Sequence, residues 1–315
     1  MINDYHEMAG QARPDRVCFS VVVCTYNRAK YLSGTLESLA LQTVAPRQFE
    51  IVIVDNNSPD NTEEVCDAFM RRRADLNIRY FKELNQGISY ARNRGVTEAQ
   101  GKFITFMDDD ETVAADFLQN LDAFCQACPT AQLISEPVVP VFEADPPKWM
   151  SPFTMRLITG AYDKGKEIKL VGHNDYPGTG HATFVKELFN RYGGFKTNLG
   201  RKGTSLLGAE DKDFFLRLIQ NGIPCYYVPS ATIYHHIPKE KLTVDFFNRI
   251  TLAIGKSERI RTLSISKSAY YKKIFSEIIK SGGSVVLFFY YTLCGQFIKG
   301  QKLLQFRYNV MRGLL

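Results

Sequence analysis

The chain has 315 residues, of which 45 % are hydrophobic and 23 % are charged, so its composition is that of an ordinary globular protein with a sizeable core. Its net charge of +6 is distributed unevenly: residues 239–315 hold 14 Lys plus Arg against 4 Asp plus Glu, which leaves the first 238 residues at about −4. A basic tail beside an acidic body argues against a uniformly basic, nucleic-acid-binding protein and predicts two surfaces with different partners.

The cysteines and the N-terminal residues indicate a cellular compartment. Seven cysteines, odd in number and scattered, favour a reducing environment over a disulfide framework. Cys125 and Cys128 form a CxxC pair, but no second pair stands at zinc-finger spacing, so packing within a helix is preferred to a metal or redox role. Residues 1–16 are a polar leader without the apolar core of a signal peptide. We therefore expect a cytoplasmic protein.

From Val17 onward, short apolar runs alternate with helical segments. The resulting βαβαβαβ order predicts an α/β fold with a Rossmann-like, mostly parallel sheet flanked by helices, in which ligands bind at the carboxyl ends of the strands. The predicted strands cover 17–25, 49–54, 77–81 and 102–107. Three helices are predicted between them. The first has Leu32, Leu36 and Leu39 on its inner face, the second has Val65 and Phe69, and the third covers 89–99.

The rest of the chain is less regular. Five prolines between 137 and 152 predict an irregular excursion over the sheet. Residues 208–222 predict a helix with Phe214, Leu218 and Ile219 facing inward. Beyond His236 the sequence becomes helical and basic, and it contains no internal repeat.

Polar clusters follow each predicted strand, and we expect them to converge on one crevice. They are "CTYNR", "DNNSPDNT", "ELNQG" and "DDDE". No glycine occurs between Ser20 and Ser33, which excludes a P-loop or dinucleotide fingerprint. Side chains could hold a nucleotide instead, with Tyr26 against the base and Asp55 and Asn56 after the second strand, although polar turn residues are often purely structural.

The segment "KFITFMDDDETV", from Lys102 to Val113, places three consecutive aspartates at the end of a buried strand. Like charges repel one another there unless something positive is bound. Asp108 and Asp110 are spaced so that both can reach one ion, and oxygen ligands of this kind suit Mg²⁺ or Mn²⁺. Such an ion implies a phosphorylated ligand. The alternative is a solvated turn or a helix cap.

Six motifs together carry a family resemblance. They are "VVVCTYNR", "IVIVDNNSPDNT", "NQGISYARNRG", "GKFITFMDDDE", "GGFKTNLG" and "GAEDKDFFLRL", and in order and spacing they resemble family 2 glycosyltransferases with the GT-A fold, over roughly Ser20 to Ile237. The resemblance implies an inverting, metal-dependent hexosyltransferase-type enzyme. It would transfer a sugar from a nucleotide diphosphate sugar to an acceptor hydroxyl.

The resemblance also implies roles for individual residues. Asp110 would be the metal ligand, with Asp108 holding the metal, sugar or ribose; Asp211 would be the catalytic base, and His235 or His236 would reach the metal or diphosphate. The residues implied to bind the nucleotide sugar are Thr25, Tyr26, Asn27, Arg28, Asp55, Asn56, Arg92, Asn93, Asp108, Asp109 and Glu210. Asn56 replaces an acidic residue that many relatives carry, and His181 stands where they often have Asn and has no assigned role.

The chemistry of inversion supports Asp211 independently of the resemblance. A single displacement needs a base on the face opposite the leaving group, and a carboxylate can take the proton of the attacking hydroxyl. A metal ion would neutralise the charge that grows on the leaving diphosphate. The alternative is that Glu210 and Asp211 only cap a helix N-terminus.

The C-terminal region, 239–315, predicts a membrane association that is separate from the catalytic domain at 17–238. Between Lys280 and Lys299 lie 18 uncharged residues, but glycines and polar residues leave an apolar core too short to span a bilayer. With its surrounding lysines and arginines the segment predicts an interfacial anchor on anionic lipid, on the cytoplasmic face of a membrane. The alternative is a helix that packs on the catalytic domain or on a second subunit.

These observations predict a glycosyltransferase that acts on a glycan or lipid-linked acceptor in cell-surface polysaccharide biosynthesis. Two alternatives remain open. A sugar nucleotidyltransferase shares the α/β plan but would need a glycine-rich loop after the first strand. A non-catalytic nucleotide- or glycan-binding module at the membrane is disfavoured by the presence of Asp110 and Asp211.

Overall fold

The computed structural model describes residues 17–172, 175 and 177–315, so the predicted leader at 1–16 lies outside the described residues. The predicted α/β class with a C-terminal helical region is confirmed. The chain forms two compact units, and the division at residue 238 expected from the sequence stays a prediction. The first unit comprises the described residues of Met1–Val139, Tyr162–Phe195 and Phe214–His235; the second comprises Pro140–Ala161, Lys196–Asp213 and His236–Leu315.

An eight-stranded sheet is the centre of the first unit. Its strands, in spatial order, are β3, β2, β1, β4, β9, β6, β10 and β8. The first four are mutually parallel, β9 is antiparallel to both β4 and β6, and β8 is antiparallel to β10. The bounds are β1 Phe19–Thr25, β2 Phe49–Asp55, β3 Ile78–Lys82, β4 Phe103–Asp108, β6 Leu133–Ser135, β8 Lys169–Leu170, β9 Ala182–Val185 and β10 Cys225–Tyr227.

Both faces of this sheet are buried, which explains why its strands are continuous apolar runs in the sequence. Side chains alternate between two cores: Val21 and Val23 of β1 face one, and Val22 and Cys24 face the other. All three leucines predicted to face inward in the first helix are fully buried in the first core. The helices are α1 Ala29–Ala40, α2 Thr62–Arg72, α3 Ile88–Glu98, α4 Phe117–Ala127 and α6 Glu187–Tyr192.

A small second sheet has the order β5, β11, β7. These strands are Glu111–Val113, Ile233–Ile237 and Val138–Phe142, and the last lies in the proline-rich segment that the sequence predicted to be irregular. Strand β11 runs antiparallel to β5. The pairing places His235 opposite Glu111, which lies 124 positions earlier in the chain.

The second unit is mainly helical. Its core packs Trp149, Phe247, Leu303, Phe306 and neighbouring apolar side chains, with the Trp149 and Phe247 rings 5.2 Å apart. Helix α7 begins in this unit and continues in the first. The helices are α5 Pro152–Thr159, α7 Glu210–Gln220, α8 Val244–Leu263, α9 Lys267–Leu293 and α10 Phe297–Leu314.

Helices α8 and α10 cross where Gly255 of α8 meets Gly313 of α10. A Cβ atom added to Gly255 would lie 2.1 Å from the Val310 carbonyl oxygen, whereas one added to Gly282 of α9 would meet no atom within 4 Å. We therefore predict that Gly255→Ala lowers the free energy of unfolding by about 2 kcal/mol, because the helices must separate. The matched variant Gly282→Ala should raise it by about 0.5–1 kcal/mol, because alanine favours the helix. Urea unfolding of both variants checks the prediction, and equal effects would contradict it.

A buried cluster of charges links the helices of the second unit. Glu258, only 4 % exposed, lies 2.6 Å from Lys212 Nζ, 2.9 Å from Arg261 Nη2 and 3.2 Å from Lys273 Nζ. Burial opposes the charged carboxylate, but these cations outweigh burial and hold the pKa of Glu258 well below its ordinary value of 4.5.

This depressed pKa makes the stability of the protein depend on pH. Because the pKa is lower in the folded state, the ionised carboxylate stabilises the fold above pH 4.5, and that contribution is lost as the pH falls further. We predict that Glu258→Gln lowers the unfolding free energy at neutral pH and that the difference from wild type shrinks steadily below pH 4.5. Chemical denaturation across this pH range measures it; a constant difference would show that the charge of Glu258 is not responsible.

Candidate active site

The carboxyl ends of β2, β1 and β4 lie side by side, and the predicted polar clusters follow them there. Thr25 ends β1, Asp55 ends β2 and Asp108 ends β4. The register pairs Thr25 with Asp55 and Cys24 with Asp108. The sequence prediction that these strand ends meet at one edge is therefore correct for these three strands.

Arg28 supplies much of the positive charge that the aspartate run requires. Its Nη2 donates to Asp110 Oδ2 at 2.6 Å, and its Nε lies 3.1 Å from Asp109 Oδ1. Thr25 Oγ1 donates to the other Asp109 oxygen at 2.8 Å. Burial raises the pKa of Asp109, and the Arg28 guanidinium opposes that rise. The chain itself thus relieves part of the repulsion that the sequence suggested only a bound cation could relieve.

Asp108 differs from the two aspartates that follow it. Its side chain is 40 % exposed, whereas those of Asp109 and Asp110 are 7 % and 3 % exposed. Arg92 Nη2 lies 3.5 Å from Asp108 Oδ1. A Cβ atom on Gly180 would come 2.8 Å from Asp108 Cγ, so only glycine leaves room for this carboxylate. Asp108 is therefore the aspartate of the three that a ligand can reach directly.

Asp55 and Asn56 are occupied by contacts within the protein. Asp55 accepts hydrogen bonds from Tyr80 Oη and the Ser58 backbone, both at 2.8 Å. Asn56 Nδ2 donates to the Glu83 and Asn85 carbonyls, and its Oδ1 accepts from the Gly87 backbone at 2.7 Å. The Asn56 amide therefore fixes the loop between β3 and α3.

The remaining nucleotide-site candidates of the first unit divide by exposure. Tyr26 is half-buried and Asn27 is exposed, with Asn27 in a left-handed backbone conformation at φ 54°. Asn93, by contrast, exchanges two hydrogen bonds of 2.8 Å with the Phe195 backbone. Asn93 therefore has a structural role, while Tyr26 and Asn27 present side chains to solvent.

Glu111, His181 and His235 form a buried cluster. The β5–β11 pairing sets His235 opposite Glu111, and the β4–β9 pairing brings His181, which precedes β9, to the end of β4. One ligand atom of each residue lies within 4.8 Å of the others. His235 Nε2 also lies 3.4 Å from Asp110 Oδ2. The predicted metal residues Asp110 and His235 are thus brought together.

His181 and Glu111 interact as charges rather than through an aligned hydrogen bond. His181 Nε2 lies 2.5 Å from Glu111 Oε1, yet both ring nitrogens of His181 and that oxygen lack a hydrogen-bond partner among the described residues. Burial would lower the pKa of His181, but the charge and close contact of Glu111, together with the charges of Asp108 and Glu136, outweigh burial and raise the pKa to about 9. In this pair the proton of His181 balances the Glu111 carboxylate, so a metal ion at the cluster would have to displace that proton.

The sequence interpretation placed Glu111 in the "DDDE" cluster without giving it a role, and it did not assign His181. Their side chains meet because two antiparallel strand pairs join segments about 70 and 120 residues apart, and a single sequence contains no signal for those pairings. The only available hint was that His181 departs from the family pattern. His236 follows His235 in β11, so its side chain leaves the opposite face of the strand.

The candidate base Asp211 and its neighbour Glu210 lie in the second unit, at the start of α7. Asp211 is half-buried, and its Oδ1 accepts the Lys212 backbone N–H at 2.6 Å. The preceding residue, Ala209, has φ 75°, a strained conformation for a residue with a Cβ. Two contacts hold this segment to α8: the Gly208 N–H donates to Ser257 Oγ at 2.9 Å, and Lys212 pairs with Glu258.

A parallel Rossmann-like sheet with an acidic cluster at its carboxyl edge, extended by antiparallel strands and a small second sheet, defines a GT-A fold. A profile described as glycosyl transferase family 2 matches residues 20–189, more than half of the chain. The chain belongs to this family, as its sequence motifs indicated.

Similar proteins with assigned activities include enzymes of glycolipid and polysaccharide biosynthesis. A glucosyl-dolichyl phosphate glucuronosyltransferase from Haloferax volcanii is 28 % identical over 265 residues, covering 81 % of this chain and 82 % of its own length. The succinoglycan biosynthesis protein ExoM of Rhizobium meliloti is 28 % identical over 242 residues, covering 76 % and 71 %. This chain is therefore a glycosyltransferase with relatives in both kinds of pathway.

Solved structures share the fold at low sequence identity. The mannosyltransferase PcManGT of Pyrobaculum calidifontis, in complex with GDP-Man and Mn²⁺, has a TM-score of 0.60 at 17 % identity and covers 96 % of this chain and 90 % of its own. TarS 1–349 of S. aureus, in complex with UDP-GlcNAc, has a TM-score of 0.55 at 21 % identity, covering 76 % of this chain and 66 % of its own. These similarities establish the GT-A architecture.

Proposed function

We propose that this glycosyltransferase is an inverting, metal-assisted enzyme that transfers a sugar from a nucleotide diphosphate donor to a hydroxyl of a glycan or lipid-linked acceptor. One observation carries the proposal: buried Asp110 lies between Arg28, at 2.6 Å, and His235, at 3.4 Å. This group of charges lies at the strand edge where ligands bind in such sheets. Nucleotide sugars bound to PcManGT and TarS support the class of donor.

The chain's own residues fit a divalent cation. Asp110, His235, Glu111 and His181 offer carboxylate oxygens and imidazole nitrogens, a mixture that suits Mn²⁺ better than Mg²⁺. Asp108, more exposed, would complete the set or hold the sugar or ribose. A bound ion would act as a Lewis acid that neutralises charge on the leaving diphosphate. Arg28, whose side chain is 26 % exposed, can reach a phosphate oxygen while it remains paired with Asp110.

Asp211 is proposed to act as the base. The acceptor hydroxyl oxygen forms a bond to the anomeric carbon as the bond from that carbon to the diphosphate oxygen breaks. The hydroxyl proton passes to Asp211, and the nucleoside diphosphate leaves with the electron pair. The strained backbone at Ala209 and the contacts of Gly208 and Lys212 with α8 fix the position of this carboxylate.

The acceptor is proposed to belong to a polysaccharide or glycolipid pathway at the cytoplasmic face of a membrane. The named functions of the two relatives from H. volcanii and R. meliloti support this class of acceptor. The basic C-terminal region, net +10 between 239 and 315, supports a location at an anionic surface.

We predict that binding of a nucleoside diphosphate depends on Mn²⁺ and that His235→Gln weakens Mn²⁺ binding by about tenfold or more, because an imidazole ligand is lost. His236→Gln is the matched control, because the side chain of His236 leaves the face of β11 opposite to that of His235. Calorimetric titration with Mn²⁺, then with UDP and GDP, measures both. Equal losses in the two variants, or metal-independent binding, would contradict the proposed site.

A further inference from the structure

Helix α9 buries polar side chains and exposes apolar ones. Its buried side holds Tyr291 together with Glu277 and Ser284, which are 3 % and 2 % exposed and both contact Arg307, whose Nη1 lies 3.3 Å from Glu277. Its exposed face is apolar. Eight large side chains of α9 are between 54 % and 88 % exposed, and six of them lie close together around the helix: Tyr271, Phe275, Ile278, Val286, Phe289 and Leu293.

These six side chains form one continuous stripe, which we call the α9 stripe. With 100° of rotation per residue, they fall within an arc of about 80°, and with 1.5 Å of rise the stripe is about 33 Å long. Gly282 and Gly283 lie in the gap of the stripe between Ile278 and Val286. A Cβ atom added to either glycine would meet no atom within 4 Å. An apolar strip of this length facing water is characteristic of an interaction surface.

The charges around the stripe indicate what it contacts. Between 246 and 315 the chain has only two acidic residues, Glu258 and Glu277, and both are buried in contact with cations. Every exposed charged side chain of this segment is therefore basic. They are Arg249, Lys256, Arg259, Lys267, Lys272, Lys280 and Arg312.

We propose that the α9 stripe lies flat in the interface of an anionic bilayer, with these basic side chains against the headgroups. A second copy of the chain would bring like charges together, whereas anionic lipid complements them. None of the helices within the described residues combines the length and hydrophobicity needed to cross a bilayer, and an apolar face parallel to the surface requires neither. This inference rests on the proposed function in one respect: the bilayer surface would present the lipid-linked acceptor of the proposed reaction.

Vesicle co-sedimentation tests the inference with the full chain. Wild type should bind vesicles containing phosphatidylglycerol and bind phosphatidylcholine vesicles much more weakly, with partial loss of binding at high salt. The double variant Phe275→Glu/Phe289→Glu should reduce the partition coefficient by about tenfold or more. Both phenylalanines are exposed, at 65 % and 60 %, so the substitutions should leave the fold intact.

The matched control is Ala74→Glu/Ala127→Glu, which makes the same change in net charge at exposed positions of the first unit. It should bind as wild type does. Equal binding by wild type and the stripe variant, or no binding of wild type to anionic vesicles, would overturn the proposal. So would a wild-type dimer that the stripe variant converts to a monomer with unchanged vesicle binding, because the stripe would then be a contact between copies.

Donor turnover in lipid-free buffer, measured on the same preparations, keeps the two proposals distinguishable. If vesicle binding occurs without any donor turnover, the membrane surface stands and the proposed reaction fails. If turnover occurs without vesicle binding, the proposed reaction stands and the membrane surface fails.

Discussion

Asp211→Asn will abolish sugar transfer while the variant still binds the nucleotide sugar with nearly wild-type affinity. Asparagine keeps the size of the side chain but cannot accept the proton of the attacking hydroxyl. General-base catalysis contributes about 10²–10⁴-fold to such reactions, so the rate should fall by at least that factor. Steady-state transfer assays paired with calorimetric donor binding measure the two quantities separately.

The matched control for this prediction is Asp245→Asn, which removes an exposed carboxylate from the first turn of α8 in the same unit. It should transfer sugar at the wild-type rate. If Asp211→Asn retains about a tenth of the wild-type rate or more, the carboxylate that acts as the base is a different one. Loss of donor binding in parallel with loss of transfer would instead indicate a structural role for Asp211.

Glu258→Leu will lower the free energy of unfolding by about 3–5 kcal/mol, because it leaves buried Arg261 and half-buried Lys212 and Lys273 without their shared carboxylate. Removing one partner of a buried ion cluster costs much more than removing an exposed charge. The matched control, Glu240→Leu, changes an exposed carboxylate of the same unit and should shift stability by less than about 0.5 kcal/mol. Chemical denaturation of both variants gives the comparison.

The same substitution has a second expected consequence. Lys212 immediately follows Asp211, and its pairing with Glu258 helps to hold the strained turn at Ala209. Under conditions where the Glu258→Leu variant is still folded, transfer should be slower than in wild type. A variant that is destabilised but turns over normally would show that this cluster stabilises the unit without positioning the base.

The parallel half of the sheet could be predicted from the sequence because its strands are buried on both faces. Such strands are continuous apolar runs, and the polar residues that end them, Thr25, Asp55 and Asp108, must then lie at one edge. The other strands of this sheet, β6, β8, β9 and β10, are two to four residues long and give no comparable signal. They nevertheless bring His181 to the site.

The charge of the aspartate run illustrates a second limit. Local repulsion among Asp108, Asp109 and Asp110 implied a bound cation, but the side chain of Arg28, about 80 residues earlier, pairs with two of them and relieves part of that repulsion. A sequence argument based on neighbouring residues cannot include a cation supplied by another strand end. The metal proposal therefore rests on the position of Asp110 beside Arg28 and His235, next to the pair of Glu111 and His181.

The outward face of helix α9 could be predicted only in part from the sequence. The apolar run after Lys280 was evident, but its significance depends on which face is buried. Tertiary contacts of Glu277 and Ser284 with Arg307 turn the polar face inward. The sequence predicts an interfacial anchor in this region, with packing on protein as the alternative, but its periodicity alone does not show which side chains face outward.

Release of nucleoside diphosphate from uridine, guanosine and thymidine diphosphate sugars with Mn²⁺ measures turnover of the donor directly. We predict slow hydrolysis of one donor by the wild type, its loss in Asp110→Ala, and its retention in Asp116→Ala, which removes a nearby exposed carboxylate. Addition of membrane extract as an acceptor source should accelerate release. Silence with every donor, with and without that extract, would contradict an active sugar transferase.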